Sequence, residues 1–429
     1  MGPINFIYRP YKLYLSALKH FICNRLKKHM PTFRFDWKAY ARLAQPPRSR
    51  RHQDTTHVRG NSHGNIPRND RDYLNTRAKS ETCPPYQRIQ SVGRLAREDP
   101  RGLLDTYRDG LILDEAQTVP EIFAYLKTAV DANPKPGTYV VTGSQQFGLL
   151  SGVTESLAGR AAFLSLLPFA TSELGRSKML AADPFEAIAK GFYPPLFDRE
   201  VSPYDWYTNY IASYVKRDVR SILNVKDLGQ FQAFVKMCVA RVGQLLNLSA
   251  LALDCGLTHN TARAWLSVLE ASGIVYLLKP YHANFGKRLV KSPKLYFIDT
   301  GLAARLLGIR SAEELFIHPN RGNLFESFVL AELLKSRYNQ GLDPDIYFWR
   351  DSAGNEVDVV SPDGKGLRAL EIKSGKTFVP ELATGFDAWM QFSGAHPEDC
   401  SLAYAGERGF QWKGLSIVPW TRVDGIFPS

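Results

Sequence analysis

From Gly110 onward the chain alternates short apolar runs with stretches of helical spacing. Leu111-Ile112-Leu113 has no polar position and stops at Asp114-Glu115; then Ile122, Leu126 and Val130 recur on one helix face. Asn133-Pro134-Lys135-Pro136-Gly137 marks a turn. Tyr139-Val140-Val141 is a second buried strand ending in Thr142-Gly143-Ser144, and a third run, Ala161 to Leu167, stops at Pro168. Continuous apolar strands separated by helices predict a parallel sheet with crossover helices, because only strands covered on both faces lose their alternation. Residues 176–235 predict a helical connector.

Two further patterns follow. In the text GQLLNLSALALDCGLTHNTARAWLSVLEASGIVYLLKP a helix ends at Gly256, Thr258 is placed to cap the next, and Ala262, Trp265, Leu266 and Leu269 share one face of it. Gly273 closes that helix and Ile274 to Leu278 is a strand. Helix, turn, helix and strand predict a winged helix over 236–298, its outward face carrying His259, Asn260, Arg263 and Ser267, and its wing Lys287, Arg288, Lys291 and Lys294. Such cations suit phosphate contacts, so DNA is an expected partner; a winged helix used only for protein contacts has the same text. Over 299–429 a strand from Ile346 to Arg350 turns at Asp351–Asn355 into Glu356 to Val360, and a second turn (Ser361 to Gly366) leads to Leu370-Glu371-Ile372-Lys373.

Composition changes the picture mainly at the N-terminus. The 429 residues carry a net charge of +12, but residues 1–100 hold 20 Lys and Arg against 7 Asp and Glu, and the rest 34 against 35. Residues 46–90 have almost no aliphatic side chain and no period, so they cannot offset their ordering entropy, and the segment 1–92 is expected to be basic and disordered. No apolar stretch approaches the roughly 18 residues that cross a bilayer, and no signal-peptide pattern opens the chain, so no membrane partner is expected. Five scattered cysteines without a C-x-x-C pair exclude a zinc or disulfide framework and fit a reducing cytoplasm.

The candidate chemistry sits in two places. Asp114-Glu115 at a strand end has the form of a Walker B pair, in which an Asp holds Mg²⁺ and a Glu polarises the attacking water; Thr142 and Ser144, on the next strand, are placed to meet the γ-phosphate. A helix N-cap produces the same Asp-Glu text. In the C-terminal part, alternation puts Glu371 and Lys373 on one strand face, Asp358 lies on the neighbouring strand, and the helix through Gly322-Asn323-Leu324-Phe325-Glu326 offers a third carboxylate. A surface hairpin of alternating charge is the competing reading.

The segments RLAREDPRG, LILDEAQTVPEIF, VVTGSQQFGLL, SLAGR and LLPFATSEL closely resemble the AAA-type ATPase domain of a prokaryotic family. In that family the ATPase is fused to a winged helix and a C-terminal domain of unknown function (the DUF4143 type) with a restriction-nuclease-like fold. The resemblance covers about residues 92 to 420. It implies an α/β chain: a partial P-loop NTPase core over 93–175, a connector over 176–235, a winged helix, then an α/β nuclease-like domain. It makes Asp114 and Glu115 the Walker B pair, Thr142 or Ser144 the sensor, and Arg160 of SLAGR a phosphate-facing or subunit-facing arginine or a solvated one. ATP and Mg²⁺ become the expected cofactors and a homo-oligomer the expected assembly. The order Glu326, Asp358, Glu371-x-Lys373 resembles the PD-(D/E)xK core, in which the carboxylates bind Mg²⁺ and the lysine positions water.

One departure weakens the ATPase expectation. No G-x-x-x-x-G-K-[ST] loop stands upstream of the acidic strand, and Gly375-Lys376-Thr377 has Leu370 where the first Gly belongs. Without the loop's N–H groups and Lys a nucleotide loses most of its phosphate contacts, so hydrolysis is expected to be absent or very weak. Two origins compete for the N-terminal quarter: a shifted reading frame, and a genuine pseudo-ATPase with a basic tail.

Overall fold

A computed structural model describes residues 4–8, 87–88, 96–108, 110–113, 116–135, 137–143, 157–214, 228–281, 292–363 and 366–427. All of them belong to one contact unit, residues 1–14 with 87–429. The expectation of disorder over 46–90 falls outside the described residues, the pair 87–88 apart.

The first layer is a five-stranded parallel sheet of order β2-β3-β4-β1-β5, built from β1 (Ile4–Tyr8), β2 (Gln87–Arg88), β3 (Leu111–Leu113), β4 (Tyr139–Gly143) and β5 (Ala161–Ser165). The parallel ladder follows from the apolar runs, since Leu111, Val140 and Val141 are buried to within 1%. Helices α1 (Pro100–Thr106) and α2 (Ile122–Ala132) pack against each other, with Leu103, Leu104, Ile122, Phe123, Leu126 and Val130 in the core. Two strands come from the N-terminal quarter, which the hydrophobic pattern left outside the sheet. Strand β1 pairs with both β4 and β5, Tyr8 lying opposite Gly143 and Ser165, so the carboxyl ends of three strands share one edge.

The connector is helical: α3 (Thr171–Arg176), α4 (Pro184–Lys190), α5 (Pro195–Asp198) and α6 (Pro203–Tyr214). Then α7 (Leu228–Val239), α8 (Leu248–Asp254) and α9 (His259–Ala271) enclose an aromatic cluster in which Phe231 and Phe234 meet Trp265 edge-on at 5.2 and 5.5 Å. Thr258 caps α9 through its hydroxyl, as expected. The antiparallel ribbon β6 (Val275–Leu278) and β7 (Lys294–Phe297) follows.

Three helices lead into the last layer: α10 (Thr300–Leu306), α11 (Ala312–Ile317) and α12 (Arg321–Asn339). Helix α12 is buried from Leu324 to Lys335 with hardly a break, because it packs on α4, α10, β5, β7 and the C-terminal sheet at once. That sheet has the order β12-β13-β11-β10-β9-β8, with β8 (Tyr347–Arg350), β9 (Glu356–Asp363), β10 (Gly366–Lys373), β11 (Cys400–Tyr404), β12 (Phe410–Trp412) and β13 (Leu415–Pro419). Helix α13 (Gly385–Ser393) covers it, Trp389 stacking edge-on against Trp349 at 5.4 Å. Strand β9 runs on to Asp363, so Ser361 and Pro362 are ladder residues rather than part of the second turn. Among the described residues no helix is long and apolar enough to cross a membrane.

Candidate functional site

The C-terminal carboxylates converge because of register. Strands β9 and β10 are antiparallel with Leu370 opposite Val359, so the next step along each strand sets Glu371 across from Asp358 on one face. There the ladder is completed by a side chain, the Ile372 N–H donating to Asp358 Oδ2 at 2.8 Å. Lys373, two residues after Glu371, donates to Glu371 Oε2 at 2.6 Å. Glu326 reaches the same place from the first turns of α12, and Glu356 from β9, where it also pairs with Arg350 at 3.0 Å.

The cation at the centre is Lys294, which sequence reasoning put on the wing as a phosphate contact. That placement is corrected: Lys294 opens β7 and is only 3% exposed. Its Nζ lies 3.1 Å from Glu326 Oε1 and 3.9 Å from Asp358 Oδ1, and pairs closely with Glu356. Tyr296, two residues on and so on the same strand face, donates its hydroxyl to Glu326. The signal was present in SPKLYF, a lysine inside a buried strand text, but the cations upstream of it made a charged loop the simpler reading.

Electrostatics follow the packing. Burial pushes the Glu326 carboxyl up to about 7 and Glu371 up to about 8, and the charge of Asp358 adds to both. Burial also raises Asp358, against the pull of Lys294 and Lys373. For Lys294 burial acts the other way, but the surrounding carboxylates outweigh it and hold the ammonium charged above the ordinary lysine range.

A divalent cation in this place would need several hard oxygen ligands. The carboxylates are present, yet an ammonium already takes three of them. Among the described residues no group of three or more acidic, histidine or cysteine side chains is arranged to hold a metal ion. As arranged, the residues do not fit the ion, and no chemical step is drawn through one.

The other expected site residues are dispersed. Asp114, Glu115, Ser144, Lys287, Arg288 and Lys291 lie outside the described residues. Thr142 is buried in β4 opposite Ile7 of β1. Arg160 binds Asp131 of α2 through two hydrogen bonds of 2.5 and 3.2 Å. Its guanidinium holds the Asp131 carboxyl below the usual range. Arg263 is exposed on α9 with His259, Asn260 and Ser267. His259, Arg263 and Ser267 line a groove shared with Leu277 of the ribbon and with Pro293 just before β7. Lys376 of the false Gly-Lys-Thr is paired with Asp183, the N-cap of α4.

Comparison with known proteins places three family models along the chain. Residues 76–175 match the AAA domain, 182–313 a domain of unknown function (DUF8612) and 321–423 a second domain of unknown function (DUF4143). The AAA match covers β2 to β5 of the first sheet but not β1, and the DUF4143 match covers the whole of the last sheet. Two curated relatives, uncharacterized proteins of Mycobacterium bovis and Mycobacterium tuberculosis, are each 32% identical over 288 residues. The match covers 66% of this chain, and the chain spans 63% of the length of those relatives.

Proposed function

We propose that this chain is an ATP-binding protein of AAA type that acts on or beside DNA through its C-terminal half, with ATP hydrolysis absent or very weak. The observation that carries it is the AAA match laid on a parallel sheet whose strands end on one edge, the crevice where open α/β sheets bind nucleotides. Asp114 and Glu115 would hold Mg²⁺ and polarise water there, but no phosphate loop stands in the sequence to cradle ATP. DNA contact is assigned to the winged-helix reading of α7–α9 and the ribbon, with Arg263 on the outward face. A homo-oligomer is expected on the same grounds as the ATPase assignment.

Nucleotide binding by a fluorescent ATP analogue and phosphate release are to be measured together. Weak binding with almost no turnover supports the proposal; turnover in the ordinary range of about 1–100 s⁻¹ that Glu115→Gln leaves intact removes it. For DNA, Arg263→Ala should weaken binding and lower the salt dependence by about one phosphate contact. An unchanged salt slope would move the contact elsewhere.

A second reading is a metal-dependent nuclease that works without ATP, favoured by the convergence of Glu326, Asp358, Glu371 and Lys373 in a PD-(D/E)xK-like order. Mg²⁺-dependent cleavage abolished by Glu371→Ala and Lys373→Ala would establish it. A silent DNA- or protein-binding scaffold remains if neither activity is found.

A further inference from the structure

Every carboxylate of the C-terminal cluster already has a partner from this chain. Glu371 is taken by Lys373, Glu356 by Arg350 and Lys294, Glu326 by Lys294 and Tyr296, and Asp358 by the Ile372 N–H with Lys294 beyond it. The ammonium is bonded to Glu326 and Glu356 and lies 3.9 Å from Asp358, so carboxylates from two different elements are gathered around it. Placing that many acids together without a cation would be costly, since a buried charge needs a partner.

We propose that Lys294 takes the place of a divalent cation among Glu326, Glu356 and Asp358, so that the ribbon rather than a metal ion completes this site. The proposal concerns the acids alone and stands or falls apart from the nucleotide and DNA readings; it opposes the metal-dependent second one.

The ribbon holds the lysine in place. Lys294 pairs with Leu278 in the ladder and forms a bridge with Leu245, while Gly243 N–H donates to Leu295 at 2.8 Å. At this same end of the ribbon the chain running on from Leu278 is stitched to the C-terminal sheet. Tyr281 N–H donates to Phe348 at 2.7 Å and Phe348 N–H to Lys279 at 3.1 Å. With both strands fixed at the lysine's end of the ribbon, a metal ion would have to displace a buried ammonium to enter. Lys294 therefore does two things at once: it neutralises the acids and ties β7 to α12 and β9.

The measurement is Mn²⁺ binding by the full chain, followed by the loss of the free-ion electron paramagnetic resonance signal, with thermal melting alongside. The wild-type chain should take up no Mn²⁺ at this site, and neither added Mn²⁺ nor a chelator should move its melting temperature. Lys294→Met should gain one equivalent of Mn²⁺ and several degrees of melting temperature on adding it. The gain should vanish in Lys294→Met/Asp358→Asn. Wild-type uptake that Asp358→Asn abolishes would overturn the proposal, and so would a folded Lys294→Met that takes up nothing. Should Lys294→Met fail to fold alone, Mn²⁺ present during refolding should restore it; refolding that Mn²⁺ does not help overturns the proposal equally.

Discussion

Asp299 shows how much one residue carries outside the candidate site. It is 1% exposed and accepts from Tyr207 at 2.5 Å and from the Phe192 and Leu302 N–H groups at 2.8 Å each, capping α10 in the process. Asp299→Asn keeps the shape but turns an N–H₂ toward one of these donors. A loss of about 1–3 kcal/mol is expected, read from the urea midpoint. The cluster acids give a pH dependence. Glu326 and Glu371 sit at about 7 and about 8 in the fold against an ordinary 4.5, so the native chain keeps protons that the unfolded chain has released. Their contribution is present at pH 4.5 and is lost as pH rises through 7 to 8. Urea stability should therefore fall between those limits, and Glu371→Gln should flatten the fall. A wild-type curve that rises across this window would contradict the burial of both carboxyls.

At the scale of elements, close approach decides what is tolerated. A Cβ on Gly301, in α10, would stand 2.5 Å from the Tyr207 hydroxyl oxygen and 2.7 Å from the Gly191 Cα at the end of α4. Gly301→Ala should cost about 1–3 kcal/mol through overpacking, measured by thermal melting beside the exposed helical control Gly175→Ala, where a Cβ would meet nothing. Much of the element map was legible beforehand. Strands β3, β4 and β5, helix α2 and the Thr258 cap follow from apolar runs and periodicity, and Glu326, Asp358, Glu371 and Lys373 converge as alternation and helix placement require. Two things were not. Strand β2 lies in a basic, aperiodic text, and β1 is a five-residue apolar run whose ladder partners stand far along the chain, so neither leaves a signature that ties it to the sheet. Lys294 was misplaced because burial of a cation depends on which acids meet it, and those acids come from 32 to 64 residues downstream.

The whole molecule is tied through a second buried pair. Glu332 and Lys335 of α12, 0 and 1% exposed, bond each other at 2.7 Å. Glu332 also accepts from the Thr171 N–H and hydroxyl at 2.7 and 2.8 Å, and Lys335 donates to the Phe169 carbonyl at 2.9 Å. Thr171 lies within the AAA match and Glu332 within the DUF4143 match, so the two regions share one polar core. Lys335→Met leaves a buried carboxylate uncompensated and should cost about 3–5 kcal/mol. Lys335→Met/Glu332→Met should recover part of that loss; a double variant less stable than Lys335→Met would show that the pair does not act as a unit. The central position of β1 bears on synthesis as well. Its first residues leave the ribosome long before Tyr139–Gly143, the nearest ladder partner, has been made. At about 5–20 residues per second this strand waits roughly 7 to 27 seconds with unpaired backbone before β4 can pair with it. Strand β1, flanked by β4 and β5, thus stays unpaired until they have been made, and chaperone dependence of folding in the cell should track the sequence of Ile4–Tyr8 more than that of any later strand.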